Sequence, residues 1–373
     1  MSNIMCRSPY WITDTFLIEP STAQSAKLNL TIGGTLRYEL IKNETTTAHW
    51  EVAELIRDYI SWEYDNENSH SVTVEYIIRW YSGQNATGSI EQTGSTISGL
   101  FGTEGYGYFI EGKNPTHTRG YLQSNDIIYK PKNATIKIPV DTQNASLVFF
   151  RGTDYAGGRE YSYPTDNKIE YCSSYVYGLE GFDSFEQRVY KDGGTIEIGT
   201  ESCYECLLAQ RDFTDLDSVQ INTTDGVRFV QVKAMTDSKF EPLKLTFINR
   251  WGAEQDVWFF RRSTQSISTK KEDYDSSIVA SNGVYDTTDH VMQVFEVDVK
   301  KDYELNTGFV DESYNVVMQE LMQSEKVWLT EGNYTYPVLV DTKSLRFKTS
   351  VNDRLVDYTI KVTLSNNEIN DIR

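Results

Sequence analysis

Short apolar runs that alternate with polar residues recur along most of the chain, as in Lys27–Ile32 (KLNLTI), Leu36–Ile41 (LRYELI), Val72–Trp80 (VTVEYIIRW), Ala134–Val140 (ATIKIPV) and Ser146–Phe150 (SLVFF). A period of two bounded by Gly, Asn and Asp predicts strands with one buried face, and the close spacing of the turn signals predicts a sandwich or barrel over alternating strands and helices. Trp50–Ile60 breaks the rule: Val52, Leu55, Ile56 and Tyr59 fall at helical spacing, predicting a short helix that plugs or caps a sheet. The turn-forming, Tyr-rich stretch 152–167 reads as a loop or boundary. Beyond it, Lys168–Gly178, Arg188–Gly199 and Ser218–Met235 read as β structure. The last two carry hairpin signals at Asp192-Gly193-Gly194 and Asp225-Gly226.

The final third begins near Pro242. Its polar segment 263–277 reads as an exposed loop, Val291–Val299 as a strand, and 311–324 as the clearest helix of the protein. There Asp311 is placed to cap the first free N–H groups, Glu312 favours the positive helix end, and Tyr314, Val317, Met318, Leu321 and Met322 form one apolar stripe. Strands at Lys326–Leu329, Tyr336–Val340 and Leu355–Leu364 close the chain. The predicted fold is mainly β: two to three β-sandwich-like domains, with a C-terminal α+β region carrying the one clear helix. The expected domains are 1–142, 143–235 and 236–373.

Composition narrows the partners. The 373 residues are 39% hydrophobic and 24% charged, which fits a folded protein. Their 25 Tyr against 8 Pro favour strands and polar loops. A net charge of −19 argues against nucleic acid, whose phosphates need a basic surface. Nowhere do 18 apolar residues run together, so no membrane span is expected.

The residues that could carry chemistry are scattered. Cys203-Tyr-Glu-Cys206 has the spacing of half a zinc site or of a redox pair, but only Cys172 and isolated histidines could complete a zinc site, so buried or half-buried thiols are the simpler reading. His49, His70, His117 and His290 have no catalytic partner in sequence. Asp212, Asp215 and Asp217, and the run Asp65–Asn68, could offer oxygens to calcium but lack EF-hand spacing; solvated turns explain them as well. Paired carboxylates for glycoside hydrolysis leave no local motif, so no pair is named. No cofactor and no metal is expected.

Two stretches remain as candidate surfaces. GYGYFIEG (Gly105–Gly112) sets Tyr106, Tyr108 and Phe109 among glycines, suiting a protein interface or sheet face and, second, a stacking surface for sugar. FINRWGAEQDVWFF (Phe247–Phe260) has the period of two strands around a polar turn at Asn249–Gly252. Arg250 and Asp256 are expected to pair across that hairpin. Trp251, Trp258 and Gln255 are expected either to anchor it beside the Asp311 helix or to form a rim against another subunit.

Several pieces taken in order resemble a family of virion structural proteins from tailed phages of Bacteroidetes and flavobacterial hosts. They are Arg7-Ser8-Pro9-Tyr10, the run Glu54–Ile60, GYGYFIEG with Asn114-Pro115, FINRWGAEQDVWFF, Asn306–Asn315, Ser324–Trp328, and the ending from Asn352-Asp353 to Arg373. The resemblance is weakest between about Gln143 and Met235. It implies a non-enzymatic particle component of the tail tip, baseplate or tail adaptor, made in the host cytoplasm and localised to the virion. It implies other virion proteins as partners, a homo-oligomer, and no catalytic residues to transfer. A carbohydrate- or receptor-binding module of a tail fibre, contacting host surface glycan, and a head-associated virion protein stay open as alternatives. A glycan depolymerase ranks last, since the long parallel repeat common in such enzymes is missing.

Overall fold

The structure is a computed structural model. It describes all residues except 1–2, 19–21, 62, 65–70, 118–120, 132–133, 135–136, 141–143, 152–153, 163–172, 176–203, 208–217, 224–225, 236–238, 280–281, 346–354 and 367–373. The protein is mainly β and divides into two compact units, 1–236 with 248–255, and 237–247 with 256–373. The domain boundary expected between 142 and 143 lies outside the described residues, as do the Arg188–Gly199 hairpin, Cys172, Cys203, His70 and both acidic clusters.

The first unit contains a six-stranded sheet in the order Thr35–Lys42, Ser25–Ile32, Ser71–Tyr81, Ile90–Thr103, Asn3–Met5, Thr116–His117. The alternation seen in sequence sets its faces. Leu28 opposes Ile78 and Leu30 opposes Tyr76, so both strands turn the same face inward. Ile12, Ala48 and Trp50 of the antiparallel pair Trp11–Thr15 and Thr47–Glu51 pack into the same core, as does Ile56 of helix Ala53–Arg57. Each fully buried Leu or Ile there is worth about 1.5–3 kcal/mol over its exposed state. The helix expected over Trp50–Ile60 shrinks to Ala53–Arg57 because Trp50 pairs with Ile12 and holds 47–51 as a strand. Its predicted inner residues still pack inward: Val52 and Ile56 are buried, with Leu55 and Tyr59 against them.

One charged group is built into this core. Asp14 accepts from Trp80 Nε1 at 2.7 Å and from the Ser95 hydroxyl and N–H at 2.8 and 3.2 Å. The last bonds bring the strand so close that a Cβ on Gly94 would lie 2.0 Å from Asp14 Oδ2.

A second six-stranded sheet runs Ser173–Tyr175, Asp154–Ser162, Asn144–Arg151, Ser218–Thr223, Gly226–Met235, Ile127–Pro131. Thr223 pairs with Gly226, so the predicted Asp-Gly signal does mark a hairpin. The predicted loop 152–167 is corrected: Asp154–Ser162 is a strand, bonded to Asn144–Arg151 on one edge and Ser173–Tyr175 on the other. Pairing with Phe149 holds Gly157 extended, and pairing with Val148 and Tyr175 on both edges holds Gly158, which their own propensity would not do.

The second unit is organised on a seven-stranded sheet in the order Glu254–Phe259, Leu243–Ile248, Val327–Glu331, Tyr334–Val340, Thr359–Leu364, Met292–Asn306, Thr264–Asp275. The predicted loop 263–277 is corrected to the twelve-residue strand Thr264–Asp275, exposed at every position. Alternation in sequence reports a buried face, and this strand has none to report. The clear helix is Tyr314–Gln323, with Tyr314, Val317, Met318 and Leu321 buried as expected. Asp311 is not its cap. It belongs to the short strand Val310–Asp311, and its carboxylate accepts from Ser313 N–H at 2.9 Å, turning the chain before the helix starts. The predicted strand Leu355–Leu364 breaks at Asp357–Tyr358. There Tyr358 turns inward: Thr307 N–H donates to its carbonyl, its own N–H donates to Thr307 Oγ1, and its hydroxyl reaches Asn315.

Candidate functional site

The two stretches singled out by sequence meet. The hairpin Leu243–Ile248 and Glu254–Phe259 turns at Asn249–Ala253, where Gly252 takes φ +82° and Gly252 N–H donates to Asn249 O at 3.0 Å. Asn249 is fully buried and uses its whole amide. Its Oδ1 accepts from Trp251 N–H at 2.9 Å and Ala253 N–H at 3.2 Å, while its Nδ2 donates to Leu122 O at 2.5 Å and Gln255 Oε1 at 3.1 Å. A turn this short leaves two N–H groups pointing inward, and an asparagine side chain serves both at once.

The turn seats the Gly105–Gly112 segment backbone to backbone. Tyr106 N–H donates to Arg250 O at 2.8 Å, and a Cβ on Gly252 would lie 2.8 Å from Gly105 N, so side chains are excluded where the two loops touch. Across this seam Arg250 reaches outward. Its guanidinium lies 4.4 Å from the Tyr108 ring centre and 4.5 Å from that of Trp251, and it pairs with the Glu111 carboxylate. Two rings hold the planar cation, and the carboxylate fixes its direction. Tyr106 and Tyr108 meet edge to face with ring centres 6.1 Å apart, and the Arg7 guanidinium lies 5.2 Å from the Tyr106 ring centre.

The platform orders the four candidates differently from the sequence. Tyr106 is buried, so its ring braces the loop and offers little surface; Tyr108 and Trp251 are half-buried. Trp251 packs on Leu122 and Ala253. Phe109 is wholly exposed (101%), with Ile110 beside it at 90%, both on the single 3-10 turn Phe109–Glu111. The expected Arg250–Asp256 pair does not form. Asp256 instead accepts from Thr246 Oγ1 at 2.5 Å and Lys244 Nζ at 3.4 Å, both on the facing strand of its own hairpin, whereas Arg250 leaves the turn toward the rings. Sequence reading passed over Ile110, Glu111, Arg7 and the role of Arg250. The adjacency of Ile110 to Phe109 was the available signal; the others depend on contacts more than 90 residues apart.

Other chemistry is sparse. The Cys6 thiol is pushed up by burial and stays protonated at neutral pH. His49 Nδ1 shares a 2.9 Å hydrogen bond with Thr13 at the surface. Among the described residues, no group of three or more His, Cys, Asp or Glu side chains is placed to hold a metal. Nor, among them, is any helix long and apolar enough to cross a membrane. The second unit has an open groove of about 590 Å³ lined by Phe240, Arg261, Arg262, Glu304 and Phe309, with Arg261 lying 5.4 Å from the Phe309 ring centre.

No protein-family model matches the chain, and no curated protein matches it.

Proposed function

We propose that this chain is a non-enzymatic structural protein of a tailed-phage virion, placed at the tail tip, baseplate or tail adaptor and acting through protein interfaces. The observation that carries the interface reading is the exposed pair Phe109–Ile110 on the braced platform. Covering these two side chains with a partner is worth about 1.5–3 kcal/mol each, and rigid apolar anchors of this kind concentrate binding energy. Tyr108, Arg250 and Trp251 would form the rim around them. The virion assignment itself rests on the ordered motif set described above.

The test has two parts. Mass spectrometry of purified particles should find the chain at stoichiometric abundance, and its absence would refute the virion assignment. Phe109→Ser with Ile110→Ser should leave folding intact and lower incorporation into particles. Unchanged incorporation would move the interface elsewhere.

A second reading, a receptor-binding module that takes host surface glycan, is favoured by the half-buried rings of Tyr108 and Trp251 beside a cation. Tyr108→Ala would then weaken retention on host glycans. No retention of the intact protein would dismiss that reading.

A further inference from the structure

We propose that two copies of this chain associate face to face through the ribbon formed by Thr264–Asp275 and the outer part of Met292–Asn306. The register defines the ribbon's faces. Asp275 opposes Met292, Asp273 opposes Val294, Lys271 opposes Val297, Thr269 opposes Val299, Ile267 opposes Lys301, and Gln265 opposes Tyr303. Opposed residues share a face, so Ile267, Met292, Val294, Val297, Val299 and Tyr303 line one side. The other side carries Lys270, Glu272, Glu296, Asp298 and Lys300. The register shifts between Glu272 and Asp273, a bulge that carries Phe295, whose side chain is 63% exposed.

The apolar side continues the sheet's buried face beyond its cover. Along the strand, Leu305 and Tyr303 are buried and Val299 is 7% exposed, whereas Val294 and Met292 reach 50% and 63%; Ile267 on the facing strand is 61% exposed. A charged outer side and an apolar inner side are what a covered ribbon needs. A two-stranded ribbon is marginal on its own in water.

Charge selects the occupant. On the apolar side the acids Asp273 and Asp275 lie toward the tip, and Lys271 and Lys301 lie toward the base. Two identical ribbons stacked tip over base, centred at the level of Glu272 and Glu296, set Lys271 of each copy against Asp273 of the other. The same register sets Val294 against Val297. Stacking tip over tip lays each strand over the other, so Lys271 faces Val297 and Asp273 faces Val294 and no ion pair forms. The face is therefore self-complementary under one two-fold arrangement, as an isologous interface requires.

The proposal stands apart from the virion reading, since a chain missing from particles can still dimerise and a monomeric chain can still be incorporated. Analytical ultracentrifugation of the full chain over a concentration series tests it, with Val294→Glu, Lys271→Asp, Asp273→Lys and the double reversal Lys271→Asp/Asp273→Lys. The intact protein should sediment as two copies. Val294→Glu should raise the dissociation constant about 100-fold, each single reversal about 10-fold, and the double reversal should return to within about threefold of the starting value. Circular dichroism and thermal midpoints serve as folding controls; if Val294→Glu misfolds, the charge variants at the exposed positions Lys271 and Asp273 decide. A chain that is monomeric at ~100 μM, or a dimer whose double reversal binds no better than the single ones, overturns the proposal.

Discussion

Replacing Asn249 by Leu removes one side chain and four hydrogen bonds at a site with no solvent exposure. The N–H groups of Trp251 and Ala253 lose Oδ1 as their acceptor, and Leu122 O and Gln255 Oε1 lose a donor. A typical bond nets about 1 kcal/mol, and a buried group left without a partner costs about 1–3 kcal/mol. Part of the turn can recover water, so about 3–4 kcal/mol of stability should be lost. Urea unfolding read by tryptophan fluorescence measures it. Hydrogen exchange adds a local readout: because Tyr106 N–H donates to Arg250 O, protection should fall in 104–112 as well as in the turn. Asn249→Asp keeps the acceptor but turns a second oxygen toward two acceptors, Leu122 O and Gln255 Oε1. It should cost at least as much at neutral pH and less once acidification protonates the carboxyl. A loss below about 1 kcal/mol for Asn249→Leu, with 104–112 unchanged, would refute the view that this amide holds the platform together.

Three other outcomes are expected. Asp14→Ala should destabilise the first unit by about 2–3 kcal/mol in denaturant titration, since it strands the buried Trp80 Nε1–H and releases Ser95. The Cys6 thiol, held protonated by burial, should resist iodoacetamide in the native protein at pH 8 and react fully in denaturant; rapid native labelling would contradict its burial. The Asp302 carboxyl is held below the usual carboxylate range by the Thr363 hydroxyl, with Lys361 helping. Its folded value therefore lies under its unfolded one, so its contribution is complete above about pH 4–5 and is lost as pH falls through the folded value. Thr363→Val should shallow the drop in thermal midpoint below about pH 4, and a parallel acid limb would argue against this linkage.

The elements that sequence predicted well are those with one buried face. Ser25–Ile32 and Ser71–Tyr81 alternate because every second side chain enters the same core, and Tyr314–Gln323 shows its stripe for the same reason. Thr264–Asp275 was illegible because it buries no face, and Asp154–Ser162 because its extension comes from neighbours on both edges. At the site, the turn was legible from Asn249 to Gly252, and Phe109 stood out as an aromatic among glycines. The partner of Arg250 was not. Asp256 is six residues away and Glu111 is 139, and nothing local distinguishes the distant acid from the near one. Tyr106 and Tyr108 are likewise alike in sequence, and only the packing of Arg7 and Arg250 separates a brace from a surface residue.

The first compact unit is discontinuous, resuming at 248–255 after leaving off at 236. Asn249 bonds Leu122 across 127 residues, so a nascent chain that has only reached 236 has no turn against which to set Gly105–Gly112. On the ribosome, that segment waits for more of the message to be read. An expression plasmid that stops at 236 would cut through a finished seam, and its product should present Leu122, Gly105 and Tyr106 as a raw edge for chaperones and proteases.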